Sequence, residues 1–151
     1  MNIGLAGAPD LPQLARLLWV HAAPAEQASQ TVESFAGDLA AWWSDHEDSH
    51  LPFVARLAEH EVVGMAWLAL VPRVPRPGVT TRLSADLQSV FVDVEHRGQG
   101  IGSALVRAAV DHASRLGAGR VTVSSSRRAV PVYERLGFAS SGQLLQWTAP
   151  D

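Results

Sequence analysis

The sequence predicts an α/β fold in which a mixed, largely antiparallel sheet is flanked by helices, within a single domain spanning residues 1–151. Three observations carry that prediction. Apolar periodicities read in the order β-α-α-β-β-β-α-β-α-β, neighbouring strand-like runs at 52–57 and 62–71 form a hairpin, and a glycine-rich junction at 97–103 joins an apolar strand to an amphipathic helix. With 151 residues, 47% of them hydrophobic, the chain can bury a core without metal or disulfide staples.

After a short opening strand, Asp10 is expected to cap the first helix, along which Leu11, Leu14, Leu17, Leu18 and His21 recur until Ala22-Ala23-Pro24 breaks the run. A second helix starts near Thr31 and buries Val32, Phe35, Leu39 and one of Trp42 and Trp43, because adjacent helix positions cannot face the same core. It ends in Ser44-Asp45-His46-Glu47-Asp48, where carboxylates oppose the helix dipole. The hairpin strands follow, joined by Glu59-His60-Glu61. Residues 72–84, interrupted by Pro72, Pro75, Pro77 and Gly78, are too broken for regular structure and are expected to be the least ordered segment. A strand at 87–94 leads into a helix whose face is Leu105, Ala108, Ala109, His112 and Leu116, with Gly117 as its C-terminal cap. Val121 and Val123 alternate with Thr122 and Ser124 in a half-buried strand, a short helix at 130–136 tolerates Pro131 in its first turn, and residues 144–147 close the sheet.

Charge and cysteine usage exclude several function classes. Twelve arginines against 15 acidic residues give a net charge of −3 with no basic block, so no nucleic-acid partner is expected. The first residues lack the charged and long apolar regions of a secretory leader, and no apolar run reaches the ~18 residues that span a bilayer. A cytoplasmic protein with no membrane partner is expected. The absence of cysteine removes disulfides, thiolate metal ligands and a cysteinyl acyl carrier, and no metal site is expected.

The run Arg97-Gly98-Gln99-Gly100-Ile101-Gly102-Ser103 has the chemistry of a phosphate cradle. Glycines let a ligand approach the main chain, and the unpaired N–H groups and dipole of a helix's first turn suit a pyrophosphate. A dinucleotide fingerprint starting at Gly98 would need glycine where Ser103 stands and an acid where Ala118 and Gly119 stand. The P-loop pattern needs a lysine, and the chain has none.

The run does resemble the R/Q-x-x-G-x-G/A signature of the GCN5-related N-acetyltransferase (GNAT) family, with Arg97, Gly100 and Gly102 on its fixed positions. Phe91-Val92-Asp93-Val94-Glu95-His96 is similar to the family's strand entering that loop. The run from Ala129 to Phe138 is similar to its A-x-x-x-Y-E-x-x-G-F segment. The resemblance implies acetyl-CoA as cofactor and direct transfer of its acetyl group to a primary amine in a ternary complex. It further implies that residues 98–103 supply amides to the pyrophosphate. Val90, Phe91 and Val92 would hold the pantetheine arm and acetyl carbonyl through their main chain, and Ser126 would stand where relatives commonly carry Asn. Tyr133, the only tyrosine, falls where the family places the acid for the departing thiolate, and a phenol is protonated at neutral pH.

No base stands on the strands where relatives carry Glu. Asp86 is the leading candidate, acting through a water, with His21, Glu26 and Glu33 behind it. Arg127 and Arg128 lie toward the cofactor side, and Trp19, Trp42, Trp43, Trp67 and Trp147 offer an aromatic acceptor pocket. The missing strand base and Ser126 favour a rival of another class, a CoA-binding sensor without turnover; an interaction module using Trp42-Trp43 and the proline-rich loop is a third reading. The acceptor, a small-molecule or peptide amine, stays open, as does a homodimer, which is frequent in the family.

Overall fold

The computed structural model describes residues 1–58 and 61–151. Of the expected turn Glu59-His60-Glu61, the first two residues lie outside the described ones. The elements run β1 (Asn2–Leu5), α1 (Leu11–Val20), α2 (Pro24–Ser29), α3 (Val32–Ser44), β2 (His50–Arg56), β3 (Val62–Arg73), β4 (Arg82–Val92), α4 (Ile101–Arg115), β5 (Ala118–Val123) and α5 (Val130–Arg135). Among the described residues the strands form one sheet in the order β1-β2-β3-β4-β5. The first three pairings are antiparallel and β4 with β5 is parallel, as the α4 crossover between those two strands requires. No helix among the described residues is long and apolar enough to cross a membrane.

Strand alternation separates two cores. Phe53, Leu68, Leu87 and Ala85 point to one face, where Ile101, Leu105, Val106 and Ala109 of α4 cover them. Val54, Met65 and Trp67 point to the other, under Leu14 and Leu17 of α1 and Leu39 and Trp43 of α3. Gly64 governs how near α4 comes: a Cβ there would lie 3.1 Å from Leu105 Cδ1 and 3.3 Å from the Phe91 carbonyl oxygen.

Several expectations are corrected. Pro24 opens α2 instead of merely breaking α1, since the first helical position needs no N–H, and Glu26 Oε1 accepts from the Ala23 N–H at 2.9 Å. Asp10 does not cap α1 with its side chain; the carboxylate is buried, accepts from the Gly7 N–H at 2.9 Å and is paired with the Arg56 guanidinium. Thr31, by contrast, does cap α3 by accepting from Ser34 N–H at 3.1 Å.

The segment 72–84 is strand at both ends, 72–73 and 82–84, and irregular only between them. β3 and β4 stay paired to Arg73↔Arg82, and Arg76-Pro77-Gly78-Val79 closes the hairpin with reciprocal main-chain bonds and Gly78 at φ 80°, the geometry of a type II turn. Pro72 is tolerated because β2 reaches only to Ala69, so this end of β3 has one open edge. On α4 the buried stripe is Ile101, Leu105, Val106, Ala109 and Ala113, so Leu116 is exposed. Gly117 follows the helix at φ 94° as expected. The expected strand at 144–147 does not form. Leu144, Leu145 and Trp147 are 60%, 88% and 82% exposed and β5 is the sheet edge, because a short apolar run fixes no pairing register by itself.

Candidate active site

Two irregularities open the middle of the sheet. β3 and β4 pair in register to Trp67↔Gln88, then slip so that Met65 faces Phe91, leaving two β4 residues opposite one on β3. The extra residue produces a bulge with Ser89 at φ 53°. On the other side, β4 pairs with β5 only as far as Leu87↔Val123 and then runs on alone to Val92. Residues 89–92 therefore have one edge without a strand partner among the described residues, and this edge includes Val90, Phe91 and Val92.

The loop that follows carries left-handed backbone at Gly98 (φ 77°) and Gly100 (φ 80°), which glycine adopts without penalty. Gly100 is the N-cap of α4 and contributes no side chain, so the first-turn N–H groups of Ile101, Gly102 and Ser103 face outward uncapped at the positive end of a 15-residue helix. Gly102 has ordinary helical backbone, and a Cβ there would meet only Val92 Cγ2 at 3.7 Å. Gln99 is exposed beside it. Arg97 folds back, donating from Nε to the Val92 carbonyl at 3.1 Å and from Nη2 toward His21 Nε2 at 3.3 Å. That contact occupies His21, whose Nδ1 bonds the Leu17 carbonyl at 2.9 Å and whose ring stacks on Phe91 at 4.4 Å. His21 thus locks the loop to α1 and has no nitrogen to act as a base.

Tyr133 on α5 lines a cavity of about 530 Å³ with Val121, Thr122, Val123, Ser125 and Phe138. Its ring packs edge-on against Phe138 at 5.4 Å, and burial pushes its phenol above the usual value. Ser126 supports this helix from below, its Oγ accepting from the Ala129 N–H at 3.3 Å. Asp86 stands opposite Thr122 in the parallel register, accepting from Thr122 Oγ1 at 2.9 Å and Gln88 Nε2 at 3.2 Å. Thr122 is the shared wall between Asp86 and the Tyr133 cavity. Among the remaining acids, Asp93 is paired with Arg16 at 3.2 Å, while Glu26 and Glu33 are exposed on their helices. Arg127 and Arg128 are exposed ahead of α5.

Tyr133 lines a different cavity from the edge residue Phe91, which shares one with His21 and Glu26; Glu33 lines neither, and Asp86 meets the Tyr133 cavity only through Thr122. Sequence reasoning missed the bulge at Ser89, for which no residue signal exists, and Gly64, whose presence inside a strand was a readable sign of close approach.

The sequence profile described as the acetyltransferase (GNAT) family matches residues 12–138. A glucosamine 6-phosphate N-acetyltransferase of Trypanosoma brucei brucei is 35% identical over 77 residues, 51% of this chain and 50% of that protein, so the match spans only half the relative's length. The crystal structure of a Trypanosoma brucei acetyltransferase superposes with a TM-score of 0.74 at 23% identity, covering 98% of this chain and 99% of the other. A Clostridium acetobutylicum protein described as a predicted acetyltransferase, solved with acetyl-CoA, superposes with a TM-score of 0.74 at 15% identity over 97% of this chain and 95% of its own.

Proposed function

We propose, from the fact that this chain belongs to the acetyltransferase (GNAT) family, that it transfers an acetyl group from acetyl-CoA to a primary amine. The observation that carries this reading is an uncapped α4 N-terminus beside a β4 edge freed by the bulge and by the end of β5, the two held together where Arg97 donates to the Val92 carbonyl.

The residues present suit acetyl-CoA. Amides of 98–103, aided by the α4 dipole, are donors for a pyrophosphate, and Gly102 leaves its approach unobstructed. Main-chain groups of Val90, Phe91 and Val92 would take the pantetheine arm as an added strand takes an open edge. When bound, acetyl-CoA supplies an activated acyl group and a thiolate leaving group.

Tyr133 Oη keeps its proton well above neutral pH and serves as the acid for that thiolate. Asp86, three residues before the bulge and not engaged by an arginine, receives the proton of the amine through a water. The chain has no cysteine to form a cysteinyl thioester, and in this reading the amine attacks the acetyl carbonyl directly.

The test is thermal unfolding against increasing acetyl-CoA, followed by thiol release with a panel of primary amines. A native-state ligand at 100 times its Kd stabilises by ~2.7 kcal/mol. A saturable shift given by acetyl-CoA and CoA, absent with ATP and NAD, together with amine-dependent thiol release is expected. No shift at millimolar acetyl-CoA overturns the reading, and a shift without thiol release for any amine reduces the protein to a CoA-binding sensor.

A further inference from the structure

Trp67 is 4% exposed, yet its Nε1–H is buried without a hydrogen-bond partner. Native proteins seldom leave such a donor unpaired. The contrast with other tryptophans is direct: Trp19 and Trp43 donate to the carbonyls of Gln30 and His50 at 2.9 and 3.0 Å, and Trp42 and Trp147 are exposed to water. Trp67 lines a cavity of about 120 Å³ with Leu18, Trp42, His50, Gln88 and Ser89, so the cavity borders the β4 bulge. Trp42, 40% exposed, forms its outer wall, stacked on His46 at 4.3 Å and edge-on to His50 at 4.9 Å and Trp67 at 6.3 Å.

We propose that this cavity receives the far end of the amine acceptor and selects a small, uncharged group that accepts a hydrogen bond from Trp67 Nε1–H, of the kind a primary carboxamide provides. The inference rests on the proposed acetyl transfer, since Ser89, which lines the cavity, opens the β4 edge proposed to hold the acetyl-CoA. Size favours a small group: an enclosed apolar cavity of ~150 Å³ holds a benzene ring, and this one, open toward Trp42, offers about 120 Å³. Charge limits it further, because no Arg, Asp or Glu lines the cavity and an unpaired ion buried there is strongly disfavoured. His50 adds no charge at neutral pH, its imidazole held below the usual range first by burial and then by His46. The cavity thus offers a phosphorylated sugar no cation and a polyamine no anion.

The experiment compares ω-amino amides of two to five carbons with n-alkylamines of the same length, in thiol-release kinetics and in calorimetric binding to the CoA-saturated protein. At the best length the amide is expected to exceed the alkylamine by about tenfold or more in kcat/KM and in affinity. Trp67→Phe, which removes the indole N–H together with the volume of one ring, is expected to bring that ratio to about one. Trp42→Ala, at a half-open helix position, is expected to shift the preference to N-substituted, bulkier amides, and it keeps the idea testable if Trp67→Phe unfolds. Equal binding of amide and alkylamine, or a preference that survives Trp67→Phe, overturns the subsite. Preferential amide binding lost in Trp67→Phe with no thiol release upholds the subsite and sinks the transfer reaction instead.

Discussion

The two faces of the sheet do different kinds of work. Toward the α4 end, the features that would hold a cofactor are made of main chain: left-handed glycines at 98 and 100, uncapped amides of a helix's first turn and a strand edge with no neighbour. Under α1 and α3, the opening is made of side chains brought from far apart in sequence, Leu18, Trp42, His50 and Trp67. A backbone site tolerates most substitutions that keep the local φ/ψ, whereas a side-chain site changes specificity with each one. The comparison implies that the main-chain features beside α4 should resist mutation in their surroundings and fail sharply at a few glycines, while the side-chain cavity under α1 and α3 should drift.

The largest effect that sharpens this contrast is expected at Tyr133, the proposed acid for the leaving thiolate. Tyr133→Phe should lower kcat by about a hundredfold or more with acetyl-CoA stabilisation retained, and Asp86→Asn should lower it less, both read by thiol release under saturating amine. A Tyr133→Phe enzyme with full kcat removes the phenol from the mechanism. Next is the buried pair under the α1 side: Asp10→Ala leaves Arg56 without its partner, and the Arg56 pKa, raised chiefly by its hydrogen bond to Asp10, reflects that coupling. Breaking such a pair should cost about 3 kcal/mol in denaturant unfolding.

A smaller and more selective change is expected at Gly102. Its backbone is helical and a Cβ finds room, so Gly102→Val should fold normally while raising the acetyl-CoA Kd by about tenfold, measured by calorimetry. Unaltered affinity would mean that the ligand does not approach the helix there. The smallest effect belongs to His50. Its pKa is lowered in the fold, so between pH 6.5 and the folded value the unfolded chain binds more protons and stability falls as pH drops through that window. His50→Gln should flatten the melting-temperature profile between pH 7.5 and 5; an unchanged slope would assign the acid sensitivity to another group.

Much of the α4 side was legible in the sequence because its information is local. The Gly98 to Ser103 run, the strand before it and Gly117 after the helix each specify a conformation within a few residues, and the structure has them. Tyr133 and Asp86 could be named individually, but their common wall at Thr122 depends on a parallel register that no local pattern encodes. Ser89 and the misread hairpin at 72–84 share a cause: bulges and proline tolerance are decided by which strand lies alongside and where it stops.

By itself, then, the sequence determined the alternation of strands and helices, the glycine-rich loop, the absence of cysteine and the identity of the one tyrosine, all of which follow from residue type and short-range spacing. Tertiary structure alone decided that β4 parts from β5 beyond Leu87, that Asp10 pairs with Arg56 instead of capping a helix, and that Trp67 is buried with an unpaired N–H beside the bulge. Those outcomes depend on contacts between residues tens of positions apart, where burial and register override local preference.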